Sequence, residues 1–170
     1  MQLLGTFETV SELAVALAGF SGIVTVLSDR KSTPWGQSDW FRLKALLVWS
    51  LGVAFLALVP SGLSAMPEVT APWRVAHGIF AVFHGSCLAW YFWADHQRPP
   101  SSKPAFPAGL NRITLPLAIL LFLTEIAVAG GYFAGSGAVL YLLVLVWFLF
   151  MAAITFSLLL FPHESEKPDV

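Results

Sequence analysis

Five apolar runs, each about as long as a bilayer is thick, constrain this chain more than any motif in it. They cover Phe7–Leu27, Trp40–Val59, Trp73–Ala94, Ile113–Phe133 and Ala138–Phe161. A helix rises about 1.5 Å per residue, so about 20 apolar residues cross a hydrocarbon layer roughly 30 Å thick. Backbone groups in lipid must satisfy one another, and runs of this length do so as helices. The expected fold is all-α: an integral membrane bundle of five transmembrane helices, forming a single domain over residues 1–170.

The charges orient the bundle. Eight of the nine Lys and Arg residues fall on one side of the runs: Arg30, Lys31, Arg42, Lys44, Arg98, Lys103, Arg112 and Lys167. Arg74 alone falls on the other. By the positive-inside rule the crowded side is cytoplasmic, which puts the N-terminus outside and the C-terminus inside. The first run lacks a basic leader and is interrupted by Glu8 and Glu12, so it reads as a retained helix and not as a cleaved signal. A plasma membrane of bacterial type is the simplest setting.

Composition supports the same class and removes others. A hydrophobic fraction of 57% with only 11% charged residues departs from soluble domains, which sit near 45–50% and about 25%. A net charge of −1 and the lack of any basic cluster argue against nucleic acid. One cysteine, Cys87, makes neither an internal disulfide nor a CxxC pair and reads as a small packing residue.

The polar residues inside the runs carry the functional signal. His84 and Glu125 lie near the middle of the third and fourth runs, about 16 and 18 Å of rise from their starts. Those runs cross in opposite directions, so the two residues share a depth. An ionised side chain there costs on the order of 2.5–3.5 kcal/mol, which a neutral form or a shared proton avoids. His77, His84 and Tyr91 recur every seven residues and fall within about 40° on one helix face. Asp95 continues that seam at one end and Arg74 lies near the other. Glu12 in the first run has a depth similar to Arg74 and His77, so a contact with either is expected. Together with Glu8 these residues outline a polar ladder, and intramembrane carboxylates and histidines mark proton or ion paths. The same His84–Glu125 pair also serves as a bond that specifies helix packing.

Other features read as structure. Ala14, Ala18 and Gly22 form a small-residue stripe suited to close helix packing. Asp39 is placed to cap the second helix, which is expected to stop at Pro60-Ser61-Gly62, and Trp90, Tyr91, Phe92 and Trp93 form an interfacial belt. The stretch from His96 to Asn111 reads as an extended loop, with the fourth helix starting near Thr114 and Pro116 in its first turn. Gly131 and Gly135 sit at a hairpin, where a turn and a packing role compete. Trp49 and Trp147 read as packing or oligomer contacts.

No serine-hydrolase elbow, phosphate loop or HExxH occurs, and Gly19-Phe20-Ser21-Gly22 is not GxSxG. No catalytic residues, metal site or cofactor are assigned. His77 and His84, seven apart on one helix, do not clamp a haem within one chain; a shared haem needs a symmetric dimer. Two function classes remain, with a lipid-active or haem-sharing enzyme as a weaker third. One is a small proton- or cation-responsive channel- or transporter-like protein working through His84 and Glu125, with an oligomer needed to enclose a pore. The other is a non-catalytic accessory or assembly subunit that binds another membrane protein. The expected partners are the lipid bilayer and either a second copy of the chain or another membrane protein.

Overall fold

The computed structural model describes residues 2–28, 36–99 and 104–160. Arg30, Lys31, Trp35, Lys103 and Lys167 lie outside them, as does Phe161. The chain forms helices α1 (Gln2–Ser28), α2 (Gln37–Ser64), α3 (Pro72–His96), α4 (Ala108–Ala129) and α5 (Gly137–Leu160), with a 3-10 turn at Ala134–Ser136. Four of them, α2 to α5, are long and apolar enough to cross a membrane. No strand occurs among the described residues.

Several ends fall elsewhere than the sequence pattern suggests, each for a local reason. Helix α2 does not stop at Pro60 but continues to Ser64. A proline inside a helix lacks the N–H that would bond the carbonyl four residues earlier. That carbonyl belongs to Leu56, and Tyr141 Oη of α5 donates to it at 2.7 Å. The neighbouring helix supplies the donor that Pro60 lacks, and the helix runs on.

Helix α4 begins at Ala108, so Pro116 is an interior residue and not part of the first turn. Pro107, extended at φ −53° and ψ 138°, sets that earlier start. At its other end α4 stops at Ala129 and not at Phe133. The Tyr132 N–H bonds the Ala127 carbonyl at 3.0 Å and the Gly131 N–H bonds Val128 at 2.9 Å. These two bonds make a Schellman cap, and Gly131 holds its left-handed position at φ 100°. Gly131 therefore serves the turn. Helix α2 starts ahead of Trp40, so Asp39 is its third residue and not its N-cap; from there Oδ2 accepts the N–H of the capping Gly36 at 3.3 Å.

Helix α2 is central, packed against α1, α3 and α5, while α3 also carries α4. Phe7 of α1 packs against Trp73 and Tyr141, and Ser11 Oγ donates to the Ala54 carbonyl at 3.0 Å. Within the small-residue stripe Ala14 is buried and Ala18 half-buried, whereas Gly22 is exposed with open space around it. Polarity is inverted relative to a water-soluble domain. Phe55, Val82 and Ile113 are each more than 70% exposed, while His77, His84, Glu125 and Thr155 are buried. A lipid solvent accepts that arrangement; water does not.

Described basic residues keep their sorting. Arg42 and Arg98 meet at one end of the bundle, where the Arg42 Nε donates to the Ala105 carbonyl and Arg98 lies over the Phe41 ring. Arg74 is at the opposite end, on the carbonyl of Ala129. Of the aromatic belt, Phe92 and Trp93 face outward, whereas Trp90 turns inward to stack on Phe41 at 4.6 Å.

The Pro60–Tyr141 arrangement is testable by a double-mutant cycle on unfolding in detergent. Tyr141→Phe is expected to cost about 1 kcal/mol in the native background, the usual worth of such a bond. In a Pro60→Ala background, where residue 60 supplies its own N–H to Leu56, the same change is expected to cost little. Equal costs in both backgrounds contradict the reading.

Candidate functional site

Helices α3 and α4 run antiparallel and approach closely along a face that carries two glycines. A methyl group at Gly78 would lie 4.0 Å from Ala129 Cβ, and one at Gly85 only 3.1 Å from Phe122. Between these points His84 Nδ1 lies 2.9 Å from Glu125 Oε2. Both residues are buried, at 1% and 0% exposure. The match in depth read from the sequence is realised as a direct hydrogen bond.

The 2.9 Å separation fits a hydrogen bond whose proton is carried by either atom. With the proton on Nδ1, the carboxylate accepts; with the proton on Oε2, neutral Nδ1 accepts. Glu125 Oε1 is buried and has no hydrogen-bond partner among the described residues. No described residue bonds His84 Nε2 either, and His84 lines a cavity whereas Glu125 does not. Chemically, a proton added at Nε2 can be matched by transfer of the Nδ1 proton to Oε2.

That cavity has a volume of about 60 Å³. Its polar lining comes from His84, Tyr91, Asn111 and Thr114, and its aromatic walls from Trp49, Phe106, Trp147 and Phe148. Phe106 arrives from the α3–α4 loop, not from a helix. It is 2% exposed and stacks on Trp49 with ring centroids 6.0 Å apart and planes 17° apart. The Arg42 Nε–Ala105 carbonyl bond, at 2.6 Å, pins the loop next to it. The stretch expected to be an extended loop instead sends an aromatic plug into the bundle.

The remaining ladder residues separate. Asn111 Nδ2 donates to Tyr91 Oη at the cavity's loop end. Asp95 lies at the surface beside Arg98, 3.4 Å from its Nη1. At the other end His77 Nε2 donates to the Gly137 carbonyl at 2.9 Å, leaving buried Nδ1 without a partner among the described residues. Arg74 Nε donates to the Ala129 carbonyl at 3.2 Å, at the C-terminus of α4 where carbonyls lack helical partners. Glu8 and Glu12 are exposed, and no ion pair joins Glu12 to Arg74 or His77 among the described residues. The expected Glu12 contact is thus not formed: backbone carbonyls of the α4–α5 hairpin take both donors.

Sequence reasoning missed Asn111 and Phe106, and took Trp49 and Trp147 for packing or oligomer contacts, whereas both line the cavity. Phe106 did carry a signal, as an aromatic residue between Pro104 and Pro107 in an otherwise small, polar stretch. Nothing in the spacing marked Asn111 as a partner of Tyr91.

The chain matches no protein-family model, no curated protein and no solved structure. Its function is therefore argued from this geometry.

If the His84–Glu125 bond holds α3 to α4, Glu125→Leu strands Nδ1 and is expected to cost about 1–3 kcal/mol of stability. Glu125→Gln retains an acceptor and is expected to cost far less, and His84→Phe combined with Glu125→Leu to recover part of the loss. Unfolding midpoints in detergent read all three. A Glu125→Leu protein as stable as the parent would show that the bond contributes nothing.

Proposed function

We propose that this is a multi-pass integral membrane protein that binds and passes protons through His84 and Glu125. The observation that carries the reading is the 2.9 Å bond between two buried ionisable side chains, one of which opens onto a cavity. A purely structural pair has no need of that opening. Sealing both residues in apolar packing would make the same helix contact at lower cost.

Helix α1 is the fifth span in this reading. The end carrying Arg42 and Arg98 is cytoplasmic by the positive-inside rule, and the membrane is a plasma membrane of bacterial type. The chain is read as one domain and as a proton-responsive, transporter-like protein and not a wide pore. Beyond the pair, the side facing the α4–α5 hairpin is filled by His77, Phe80 and Tyr141, each 0% exposed. The titratable groups around the pair are His77, Cys87 and Tyr91 from α3 and Tyr141 from α5.

The alternative, an accessory subunit that binds another membrane protein or a second copy, draws support from α1. A methyl group placed on Gly19 or Gly22 would meet nothing within 4 Å, so a neighbouring helix fits closely there.

Proton uptake by proteoliposomes under an imposed pH gradient separates the readings. Wild-type protein is expected to carry protons, and Glu125→Gln and His84→Gln to lower the rate by about 100-fold or more with folded protein retained, the scale of a lost acid–base group. Absence of uptake in correctly folded wild type would favour the accessory role.

A further inference from the structure

We infer that the 60 Å³ cavity is a one-sided water path that joins the α3–α4 loop end of the bundle to His84 Nε2, with Tyr91 holding its outer end and Phe106 closing it. The inference rests on the reading of His84 as a proton acceptor and adds the route, the gate and the side from which protons arrive.

Size decides what the cavity takes. A pocket that holds a benzene-sized ring measures about 150 Å³, so a six-membered aromatic ligand does not fit here without moving the walls. One water needs only about 10–15 Å³ of space measured in this way, so the volume admits a short file of a few waters. Each such water needs roughly two to four polar partners. His84, Tyr91, Asn111 and Thr114 all line the space and bring the polar groups to walls that are otherwise mostly apolar.

His84 and Tyr91 are seven residues apart on α3, hence about 10 Å of helix rise. A file of a few waters linked by hydrogen bonds of about 2.8 Å spans a length of that order. Tyr91 is suited to end such a chain. Its oxygen already accepts from Asn111 Nδ2, so its own O–H is free to donate into the cavity. Asn111 is the positioning residue for that hydroxyl.

The proton balance is simple. Before uptake, His84 carries its proton on Nδ1 and Glu125 is ionised. A proton enters the water chain at the Tyr91 end, and each water hands on one proton as it gains another. The last O–H bond breaks as N–H forms at Nε2; the Nδ1–H bond breaks as O–H forms at Oε2. His84 ends neutral with its proton on Nε2, Glu125 ends protonated, and one proton has been taken up.

Phe106 supplies the closure. It is held against Trp49 and near Phe41 by a loop pinned through Ala105 to Arg42. Swinging that ring outward opens the cavity to the loop side only, because the opposite side of the pair is packed by His77, Phe80 and Tyr141.

The chain's one cysteine is a native reporter of this path, since Cys87 lines the same cavity. Full-length protein in oriented proteoliposomes is exposed to aqueous Ag⁺ on one face, which replaces the thiol proton to form S–Ag and release H⁺. Blocked thiol is then read as loss of maleimide labelling after denaturation. Ag⁺ at the α3–α4 loop face is expected to block Cys87, and Phe106→Ala to speed the reaction several-fold. Phe106→Leu gives the same direction should the alanine variant fold poorly. Tyr91→Phe is expected to leave Ag⁺ access intact and to slow proton uptake. Access from the hairpin face, or a rate unchanged by both Phe106 variants, would overturn the inference. The two readings fail separately: Ag⁺ entry from the loop face without any proton uptake leaves the water path standing and removes the proton-carrying function.

Discussion

A carboxyl group in the middle of an apolar bundle has no water to turn to, and Glu125 finds its partner on the neighbouring helix. The 2.9 Å contact with His84 fixes how α3 meets α4. That meeting needs close backbones, which Gly78 and Gly85 permit on either side of the histidine. The imidazole turns toward α4 through Nδ1, and His84 also borders the cavity. One bond therefore partners one oxygen of the buried acid, leaves Oε1 without a partner among the described residues, and comes from a histidine that also borders the cavity.

The same demand for satisfaction recurs wherever a helix is interrupted. Pro60 deprives the Leu56 carbonyl of its helical donor, and the Tyr141 hydroxyl replaces it. The end of α4 leaves the Ala129 carbonyl open, and Arg74 reaches it from α3. His77 bonds the first residue of α5 in a similar way. In each case a side chain on one helix meets a backbone group on another, so local breaks become the bonds that hold the bundle. In apolar surroundings such bonds average only about 0.6 kcal/mol and reach roughly 1.7 at most. Their value lies in number and in register, since a helix that slides by one turn loses its partners together.

How far the sequence revealed this depended on the kind of pattern involved. Long apolar runs betray helices whatever surrounds them, and the depths of His84 and Glu125 follow from counting residues along two opposed helices. Contacts that depend on side-chain direction across helices were less legible. Glu12, Arg74 and His77 share a depth, yet depth says nothing of azimuth, and the hairpin carbonyls of Ala129 and Gly137 are the nearer partners. Pro60 reads locally as a stop because its rescue by Tyr141 comes from 81 residues further on. The cavity was the least visible feature. It is assembled from α2, α3, α4, α5 and a loop, and no single stretch of sequence carries its shape.

The central claim is that His84 and Glu125 share one exchangeable proton reached through the imidazole. Solid-state NMR of ¹⁵N-labelled histidine in bilayers tests it most directly, with His84 assigned by the difference against His84→Gln. The account predicts that Nδ1 and Nε2 of His84 exchange protonation roles as pH falls, and that Glu125→Gln abolishes the exchange. A His84 ring with one fixed tautomer at every pH, in wild type and Glu125→Gln alike, would contradict it and leave the pair a packing bond alone.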